Sequence, residues 1–430
     1  MDERPLNHAA RRRIWIVTHF EPIPTEENAR PMRAGLLAKV LADRGHEVTW
    51  WTPDFDHYNK RHRYHRDTTL KVSDGLSVRL LKSLGYRRHV GLRRMLHHEL
   101  LARRWTRMTT REPRPDLVVS GWPTPEFSDA VVRYGLKKRV PTVIDIRDLW
   151  PDLWLEVLPP RLRPLGRLAL SHHYRVARRT LRNATAIAGV TDDYIDWALR
   201  LAGRARRPED RAFAFRYDPP EIDSEDRKKA ALLLESHGYE PDDRLQFVFA
   251  GAFGRNYGLE TVLDAGRVLD DVAPGRIRFV LCGSGDRWSD VERRSRNIDS
   301  VLVLPRLGVS ELSYLYEGSD LGLAPYADIE NFRNNLPNKI DEYLRAGLPI
   351  ITGVSGLIAD LVDREGVGCH FPAGDHESLA GVATSLASDP SRVAALAGRV
   401  TAYRNRTDSE DDLARYADHL ETMAKCPTTS

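Results

Sequence analysis

The chain alternates short apolar runs with helix-like segments, and it does so in two successive series. Runs that are apolar throughout are typical of strands buried on both faces of a parallel sheet. Because parallel strands need a crossover connection, usually a helix, this rhythm predicts an α/β protein with two doubly wound Rossmann-like domains. The strand-like runs are residues 13–20, 46–52, 116–122, 141–145 and 184–190, then 246–250, 276–282, 300–304, 321–325 and 349–352.

Length also favours two domains, because 430 residues exceed what one hydrophobic core usually covers. Residues 202–230 are charged, lack a hydrophobic period and contain prolines, so we predict a linker there. The predicted domains are residues 1–235 and 236–404, which face each other across a cleft. Residues 405–430 form a C-terminal segment, whose polar helix is expected to return to the first domain.

The net charge of +4 conceals an asymmetry between the two halves. Residues 1–235 contain 45 Lys and Arg against 31 Asp and Glu, a net +14, and the remainder carries 20 against 30, a net −10. A basic face of this kind binds nucleic acid, anionic lipid or an anionic acceptor, or is a solvated surface. No zinc-finger, RRM or helix-turn-helix signature accompanies the charge, so we expect no nucleic-acid partner. The basic excess is densest around Arg87, Arg88, Arg93, Arg94, Arg103, Arg104, Arg107 and Arg111.

The cysteines and histidines argue against structural metal sites and disulfides. Cys282, Cys369 and Cys426 are far apart and form no CxxC pair, which fits a reducing cytoplasm. The chain has no HExxH motif, and its adjacent histidine pairs point in different directions on a helix, so we expect no metal. The apolar run that ends at His19 is too short for a signal peptide or a membrane span. We therefore expect a cytoplasmic protein.

In doubly wound sheets, ligands bind beyond the carboxyl ends of the strands, which directs attention to three loops of the second half. The first follows residues 246–250, where glycines flank Arg255 and Asn256. Gly251 allows a ligand to approach the backbone, and Arg255 offers a forked donor to phosphate. An ordinary loop with an exposed arginine is the alternative. The second loop contains Gly283 and Gly285, which suit either a phosphate or sugar contact or a plain tight turn.

The third loop leads into a short helix with the sequence LPNKIDEYLRAGLPII over residues 336–351. Pro337 suits the first helical turn, and Gly347 suits the left-handed residue that ends the helix. Lys339 and Glu342 lie on one face near the open N–H groups that begin at Asn338. This arrangement predicts a site for a phosphorylated ligand, or else a capped surface helix with a Lys–Glu pair.

Two loops of the first half leave strands in the same way. After the first strand, residues 21–30 hold two prolines, and we expect Asn28, Arg30 and Arg33 to reach into an interdomain cleft. After residues 141–145, Arg147, Asp148 and Trp150 leave the sheet together. They are suited to orienting a hydroxyl acceptor and stabilising positive charge, or to forming a structural turn with an Arg–Asp pair.

With these loops in this order, the chain resembles the GT-B glycosyltransferases. More narrowly, it is similar to the family 4 retaining glycosyltransferases that build bacterial surface polysaccharides. Four segments carry the resemblance, and the last is the most specific: residues 13–48, 147–151, 251–259 and 337–350. The resemblance implies a UDP-sugar or GDP-sugar donor in the second domain, a saccharide or lipid-linked acceptor in the first, and neither a cofactor nor a metal.

The resemblance also implies roles for particular residues on the donor side. Glu342 corresponds to the second glutamate of the family's paired-glutamate motif, which contacts the nucleotide ribose. Asn338 and Lys339 lie where donors meet the diphosphate, and the loop with Arg255 and Asn256 closes over it. The backbone at Gly251, Gly283 and Gly285 converges on the same place. Arg255, Lys339 and, in the first domain, Asp148 are then the candidate catalytic residues, and Asn28, Arg147 and Trp150 line the acceptor side.

The chain departs from the family pattern in two places. Asn334 stands where the first glutamate of the pair is expected, and we assign it to the donor site. Ala252 and Tyr257 stand where the glycine loop usually carries Arg and Lys. A sugar-nucleotide epimerase on the same fold and a non-catalytic sugar-nucleotide-binding subunit therefore remain as alternatives to a transferase. Residues 157–182 mix leucine with arginine, which predicts peripheral contact with an anionic membrane.

Overall fold

The computed structural model describes residues 11–26, 31–57, 59–87, 91–156, 158–214, 222–407 and 412–425. The chain divides into two compact units, residues 1–215 with 412–430 and residues 216–411. Each unit is an α/β structure built on a mainly parallel sheet, which confirms the predicted fold class.

The first unit contains ten described strands and eight described α-helices. The strands are β1 (Arg13–Val17), β2 (Glu47–Pro53), β3 (Phe55–Asp56), β4 (Arg61–His62), β5 (Thr68–Lys71), β6 (Leu76–Leu81), β7 (Leu117–Trp122), β8 (Thr142–Ile146), β9 (Ala186–Gly189) and β10 (Arg211–Ala212). The helices are α1 (Arg33–Asp43), α2 (Leu92–Met108), α3 (Pro125–Lys138), α4 (Asp152–Leu155), α5 (Arg163–Ala169), α6 (Ser171–Asn183), α7 (Asp192–Ala202) and, after the second unit, α17 (Asp412–Lys425).

Eight of these strands form one sheet in the order β10-β9-β8-β7-β1-β2-β6-β5. All neighbours are parallel except β5 and β6, which form an antiparallel edge, and β3 and β4 pair separately. Alternate residues of β1 face opposite sides of the sheet. Ile14 and Ile16 pack with α1 and α17, whereas Trp15 and Val17 pack with the aromatic residues of α2 and α3. Helices therefore cover both faces.

The C-terminal helix α17 packs on the first unit, as predicted. Tyr416 stacks on Phe213 with their ring centroids 4.5 Å apart. On the outer side, Arg44 at the end of α1 donates to Asp418 at 2.7 Å and to Glu421 at 3.1 Å. The helix thus covers α1 with an aromatic inner face and a charged rim.

The second unit contains six strands in one parallel sheet. The strands are β11 (Leu245–Ala252), β12 (Ile277–Ser284), β13 (Val301–Leu304), β14 (Leu321–Ala324), β15 (Ile350–Thr352) and β16 (Gly368–His370). The helices described in this unit are α8 (Ser224–Ser236), α9 (Leu259–Val272), α10 (Trp288–Ser295), α11 (Val309–Glu317), α12 (Glu330–Arg333), α13 (Asn338–Arg345), α14 (Leu357–Glu365), α15 (His376–Ala387) and α16 (Pro390–Thr407). The strand order is β13-β12-β11-β14-β15-β16, so the direction of chain progression reverses between β11 and β14.

The stretch predicted as a linker, residues 202–230, contains strand β10 and the first half of α8, so that prediction was wrong for residues 211–212 and 224–230. Helix α8 begins at Ser224, because the Asp223 side chain accepts from the backbone N–H groups of Glu225 and Asp226 and caps the helix. Ala230 and Leu234 are its buried residues. Helix α8 was not predicted because its hydrophobic period is weak, although its N-terminal cap is strong.

None of the helices that the structure describes combines the length and apolar content needed to cross a membrane.

Candidate functional site

The loops that follow β11 and β14 lie side by side in the second unit. These strands are neighbours at the point where strand order reverses, the place where doubly wound sheets bind ligands. The backbone N–H of Ala327 donates to the carbonyl of Asn256 at 2.9 Å and joins the two loops. Gly258 has φ +61°, and a Cβ there would lie 1.7 Å from the Pro325 carbonyl oxygen, so only glycine allows this approach.

Helix α13 begins at the predicted place and is anchored to the sheet. Gly347 is left-handed with φ +83°, as the sequence predicted, whereas Pro337 occupies the N-cap just before the first helical turn in which it was predicted. The Tyr343 hydroxyl accepts from the Ala250 N–H at 3.2 Å and donates to the Leu323 carbonyl at 3.3 Å. Because the same side chain bonds to β11 and β14, the start of the helix is fixed relative to the switch point.

Lys339 and Glu342 form an ion pair on this helix. Lys339 Nζ lies 2.9 Å from Glu342 Oε2, which also accepts from the Tyr316 hydroxyl at 3.1 Å. The Glu342 side chain is only 1% exposed, whereas Lys339 is 18% exposed. The pair is therefore not the exposed surface pair of the alternative interpretation. A buried carboxylate holds an ammonium that remains partly accessible to solvent.

A second cation, Arg306, acts on the same buried thiol as Lys339. Burial raises the pKa of Cys282, near the end of β12, to about 11, and the charges of Lys339 and Arg306 oppose that rise. The Cys282 thiol contacts the carbonyl of Pro305, next to Arg306. Arg306 follows β13 directly, so inspection of the loop after residues 300–304 would have found it. The carboxyl edge of the sheet thus carries more positive charge than the sequence analysis identified.

Arg255 and Asn256 lie in a short 3-10 turn over Arg255–Tyr257. The Arg255 side chain is exposed, and the Asn256 carbonyl joins the neighbouring loop. The structure therefore brings these two predicted residues to the switch point from β11, while Asn338, Lys339 and Glu342 reach it from β14.

The glycines after β12 have a structural explanation. A Cβ on Gly283 would lie 1.9 Å from the carbonyl oxygen of Gly251, and one on Gly285 would lie 2.5 Å from that of Phe253. The ends of β11 and β12 therefore approach each other too closely for any side chain. These contacts account for both glycines by backbone packing, and their contact with a ligand stays a prediction.

Asn334 lies between α12 and α13. Its N–H donates to the carbonyl of Glu330 at 3.2 Å, where α12 ends. Before that helix, Asp328 accepts from the Arg333 guanidinium and from the Ser355 hydroxyl at 2.7 Å. The Arg333 bond is the main reason that the pKa of Asp328 falls to about 2. An ionised carboxylate thus holds the loop next to Asn334.

In the first unit, Arg147 belongs to a buried ion network. It pairs with Asp145 at 3.0 Å and with Glu21. Arg33 makes a two-pronged bond to the same Asp145, at 2.9 and 3.1 Å. Burial alone would raise the pKa of Asp145, but the charges of Arg33 and Arg147 lower it. The expectation that Arg33 reaches into a cleft is wrong, because its side chain is buried against Asp145.

Trp150 and Asp148 lead away from that network. Trp150 is buried, and the Arg94 guanidinium carbon lies 4.8 Å from its ring centroid. The half-buried Asp148 acts electrostatically on the same Arg94. Arg147 therefore stabilises the loop through its buried ion pairs. Asp148 and Trp150 instead interact with Arg94. Asn28 and Arg30 lie outside the described residues.

Three buried histidines surround the end of β1. His19 Nε2 lies 3.0 Å from His97 Nε2, and His97 Nδ1 accepts from the Gly85 N–H at 3.0 Å. Burial, followed by the charge of Arg94, lowers the pKa of His97 to about 3. Burial also lowers the pKa values of His19 and His98 well below the ordinary value. This cluster was not predicted, because His19 is 78 residues from His97 and only the fold brings them together.

Among the described residues, no group of three or more His, Cys, Asp or Glu side chains is arranged to hold a metal ion.

The comparisons with known families match both units. Residues 32–209 match the family model described as a glycosyl transferase 4-like domain. Residues 244–389 match the model described as glycosyl transferases group 1. No curated protein has a sequence that matches this chain.

Several solved structures are similar to this chain over nearly its whole length. The α,α-trehalose-phosphate synthase (UDP-forming) from Burkholderia vietnamiensis has a TM-score of 0.68 at 14% identity, covering 98% of this chain and 99% of that one. WaaG, a glycosyltransferase involved in lipopolysaccharide biosynthesis, has a TM-score of 0.64 at 15% identity, covering 95% and 99%. HepE from Anabaena in complex with UDP has a TM-score of 0.62 at 13% identity, covering 96% and 100%. At these identities the similarity concerns the fold.

Proposed function

We propose that this chain is a GT-B glycosyltransferase that transfers a sugar from a nucleoside-diphosphate sugar to a hydroxyl acceptor with retention of configuration, as the two glycosyl transferase family models and the fold support. The observation that carries this proposal is the Lys339–Glu342 pair, at the opening of α13 and beside the switch point of the second sheet. HepE has been solved with UDP and with UDP-glucose, which supports a donor of the UDP type, and a GDP donor is the alternative.

The donor diphosphate is assigned to the cationic end of the second unit. Lys339, with three donor hydrogens, and the open N–H groups that begin at Asn338 both favour a phosphate. Arg255 adds a forked donor from the neighbouring loop. As the glycosidic bond breaks, negative charge grows on the departing diphosphate, and prearranged donors of this kind usually supply the largest catalytic contribution. Glu342, held by Tyr316 and Lys339, is assigned to the ribose.

Retention follows from the proposed path of the acceptor proton. The acceptor hydroxyl attacks the oxocarbenium-like anomeric carbon while its proton passes to the departing phosphate. The reaction then needs no dedicated base. Since Lys339 and Arg255 neutralise the charge of the leaving group, we also propose that the reaction is independent of metal ions.

On the acceptor side, the proposal assigns contact with substrate to Asp148, with Trp150 forming the apolar wall beside it. Arg147 holds the loop through its ion pairs with Asp145 and Glu21. Asn28 completes the proposed acceptor side.

We further propose a role in polysaccharide or glycolipid synthesis at the inner face of the cell membrane. Exposed leucines support this proposal, because Leu92 on α2 and Leu165 and Leu168 on α5 lie among arginines on the surface of the first unit. Helices that present leucine and arginine together bind anionic lipid surfaces. Pelleting with anionic vesicles tests the contact: salt-sensitive pelleting is expected, and its absence would remove the membrane proposal.

A thermal-shift screen over sugar nucleotides tests the proposed donor. A donor at about 100 times its Kd stabilises by roughly 2.7 kcal/mol, whereas the free sugar is expected to have no effect. Incubation with the donor alone then separates the alternatives. A transferase hydrolyses the donor slowly or needs an acceptor, whereas an epimerase yields an isomeric sugar nucleotide. Binding with neither transfer nor hydrolysis would indicate a non-catalytic subunit.

A further inference from the structure

The first unit contains a basic cavity that the roles assigned above do not use. Its volume is about 580 Å³, and it lies between the loop around residue 60, residues 84–87 and the start of α2. Four cationic side chains line it, and none of the described lining residues is acidic. They are Lys60, Arg87, Arg93 and Arg94. Such a wall attracts a ligand with more than one negative charge.

Aromatic and backbone contacts position two of these cations, Lys60 and Arg93. Lys60 Nζ lies 5.1 Å from the ring centroid of Tyr86, whose hydroxyl is 2.6 Å from His57 Nδ1. On the opposite wall, Arg93 Nε donates to the carbonyl of Gly85 at 3.0 Å. Because these two charges are positioned before a ligand arrives, binding does not require their side chains to be ordered at that moment.

The start of α2 adds donors to the same cavity. Gly91 is the N-cap and provides no side chain to bond the first N–H groups of the helix. Helix N-termini of this kind favour anions, and the first turn of α2 carries no acidic residue. The N-terminus of α2 and the two cations from outside that helix, Lys60 and Arg87, both point to a phosphate-type ligand.

An apolar strip leads away from the cavity along α2. Leu92, which lines the cavity, is 83% exposed, and Leu96 and Leu100 are also exposed one and two turns further on. Residues spaced four apart lie on one helix face, so the strip is about 12 Å long. A soluble anion alone would leave this strip unexplained, whereas an anion attached to a hydrocarbon chain uses both features.

We propose that the cavity binds the phosphate or diphosphate group of a lipid-linked acceptor, whose chain leaves along Leu92, Leu96 and Leu100. This inference rests on the proposed function, because it names the class of acceptor for the same transfer. The acceptor would be held by its phosphate in the basic cavity and by its lipid in the membrane surface.

Titration of the full-length protein with a short prenyl diphosphate tests the proposal, with inorganic pyrophosphate as the ligand that lacks the chain. Saturable binding of the prenyl diphosphate is expected, with pyrophosphate binding more weakly. The double variant Lys60→Gln with Arg87→Gln should weaken binding of the prenyl diphosphate by about 10-fold or more, which corresponds to about 1.4 kcal/mol or more of binding free energy. The control Arg103→Gln with Arg107→Gln removes the same charge from α2 outside the cavity and should change binding less than about twofold.

A second set of variants tests the leucine strip. Leu92→Ser with Leu96→Ser should weaken the prenyl diphosphate severalfold and leave pyrophosphate unchanged, whereas Leu136→Ser, an exposed leucine on α3, should change neither. Equal affinity for both ligands in the wild type would overturn the lipid assignment, and unchanged binding in the Lys60/Arg87 variant would overturn the cavity. Lys339→Ala must keep prenyl diphosphate affinity while losing donor affinity. The Lys339→Ala measurement therefore distinguishes an error in the proposed lipid-phosphate cavity from an error in the proposed donor site.

Discussion

Lys339 Nζ lies 2.9 Å from Glu342 Oε2, and the carboxylate is buried while the ammonium is partly exposed. This difference in burial fixes a positive charge at the edge of a site. The buried carboxylate of Glu342 cannot replace its bond to Lys339 with a bond to water. The Tyr316 hydroxyl gives the carboxylate a second bond and completes the support. The donor-site assignment depends on this geometry.

Lys339→Ala is expected to lower kcat by roughly 100-fold or more, as removal of one donor to a developing oxyanion does. The physical reason is loss of charge stabilisation on the departing diphosphate. Lys229→Ala is the matched control, because Lys229 also pairs with a glutamate on its own helix but is exposed. Steady-state transfer rates check both, and equal rates in the Lys339 variant and the wild type would contradict the assignment.

Gly283→Ala is expected to destabilise the second unit by about 2 kcal/mol or more, as overpacking against rigid backbone does. The new Cβ would lie 1.9 Å from the Gly251 carbonyl oxygen. Gly381→Ala is the contrasting variant, because it lies within α15 with no atom within 4 Å of the new Cβ. It should stabilise by up to about 1 kcal/mol through helix propensity. If calorimetric unfolding shows no loss of stability for Gly283→Ala, backbone packing does not explain this glycine, and a contact with the ligand becomes the better explanation.

Arg33→Ala is expected to destabilise the first unit by about 3–5 kcal/mol, because it removes one partner of a buried ion pair. Asp145 is fully buried and would keep only Arg147 as its cationic partner among the contacts described. The control Arg44→Ala removes an arginine that contacts α17 at the surface and should cost about 1 kcal/mol or less. Tryptophan fluorescence during urea unfolding follows this unit, since eight of the nine tryptophans belong to it. Similar losses in both variants would count against the buried network.

Stability of the first unit should fall as pH drops below about 6.5, the ordinary histidine pKa. The folded pKa of His97 is about 3, so between these values the unfolded chain binds more protons and acid favours unfolding. From pH 7.5 to 5.5, His97 alone should contribute a loss of about 1.4 kcal/mol. His97→Asn, which keeps an acceptor near the Nδ1 position, should reduce this loss. His172→Asn, at an exposed position on α6, should leave it unchanged, and a loss that is the same in all three proteins would contradict the prediction.

The strands were predictable where apolar residues run together, as in residues 246–250 and 276–282, because a fully buried strand needs no polar face. The edge strand β5 and its neighbour β6 were not predicted, since their residues alternate in burial and form no continuous apolar run. The helix α8 was missed for a related reason: its start depends on the Asp223 cap rather than on a hydrophobic period.

In the candidate site, too, local features were predictable from the sequence and contacts between distant segments were not. Lys339, Glu342 and Gly347 were readable from spacing, because a helix sets their geometry within a few residues. Arg306, the His19–His97 contact and the burial of Arg33 arise from contacts between distant segments, for which spacing carries no signal. Gly283 and Gly285 were recognised as special, but the backbone contact that explains them became visible only in the paired strands.

Calorimetric titration of the wild type and Lys339→Ala with UDP and with GDP tests the central claim most directly. One of the two nucleotides should bind the wild type at a single site, and Lys339→Ala should weaken that binding by about 10-fold or more, as loss of a charged phosphate contact does. Lys229→Ala should bind like the wild type. If neither nucleotide binds, or if binding to Lys339→Ala is as tight as to the wild type, the donor site does not lie at α13.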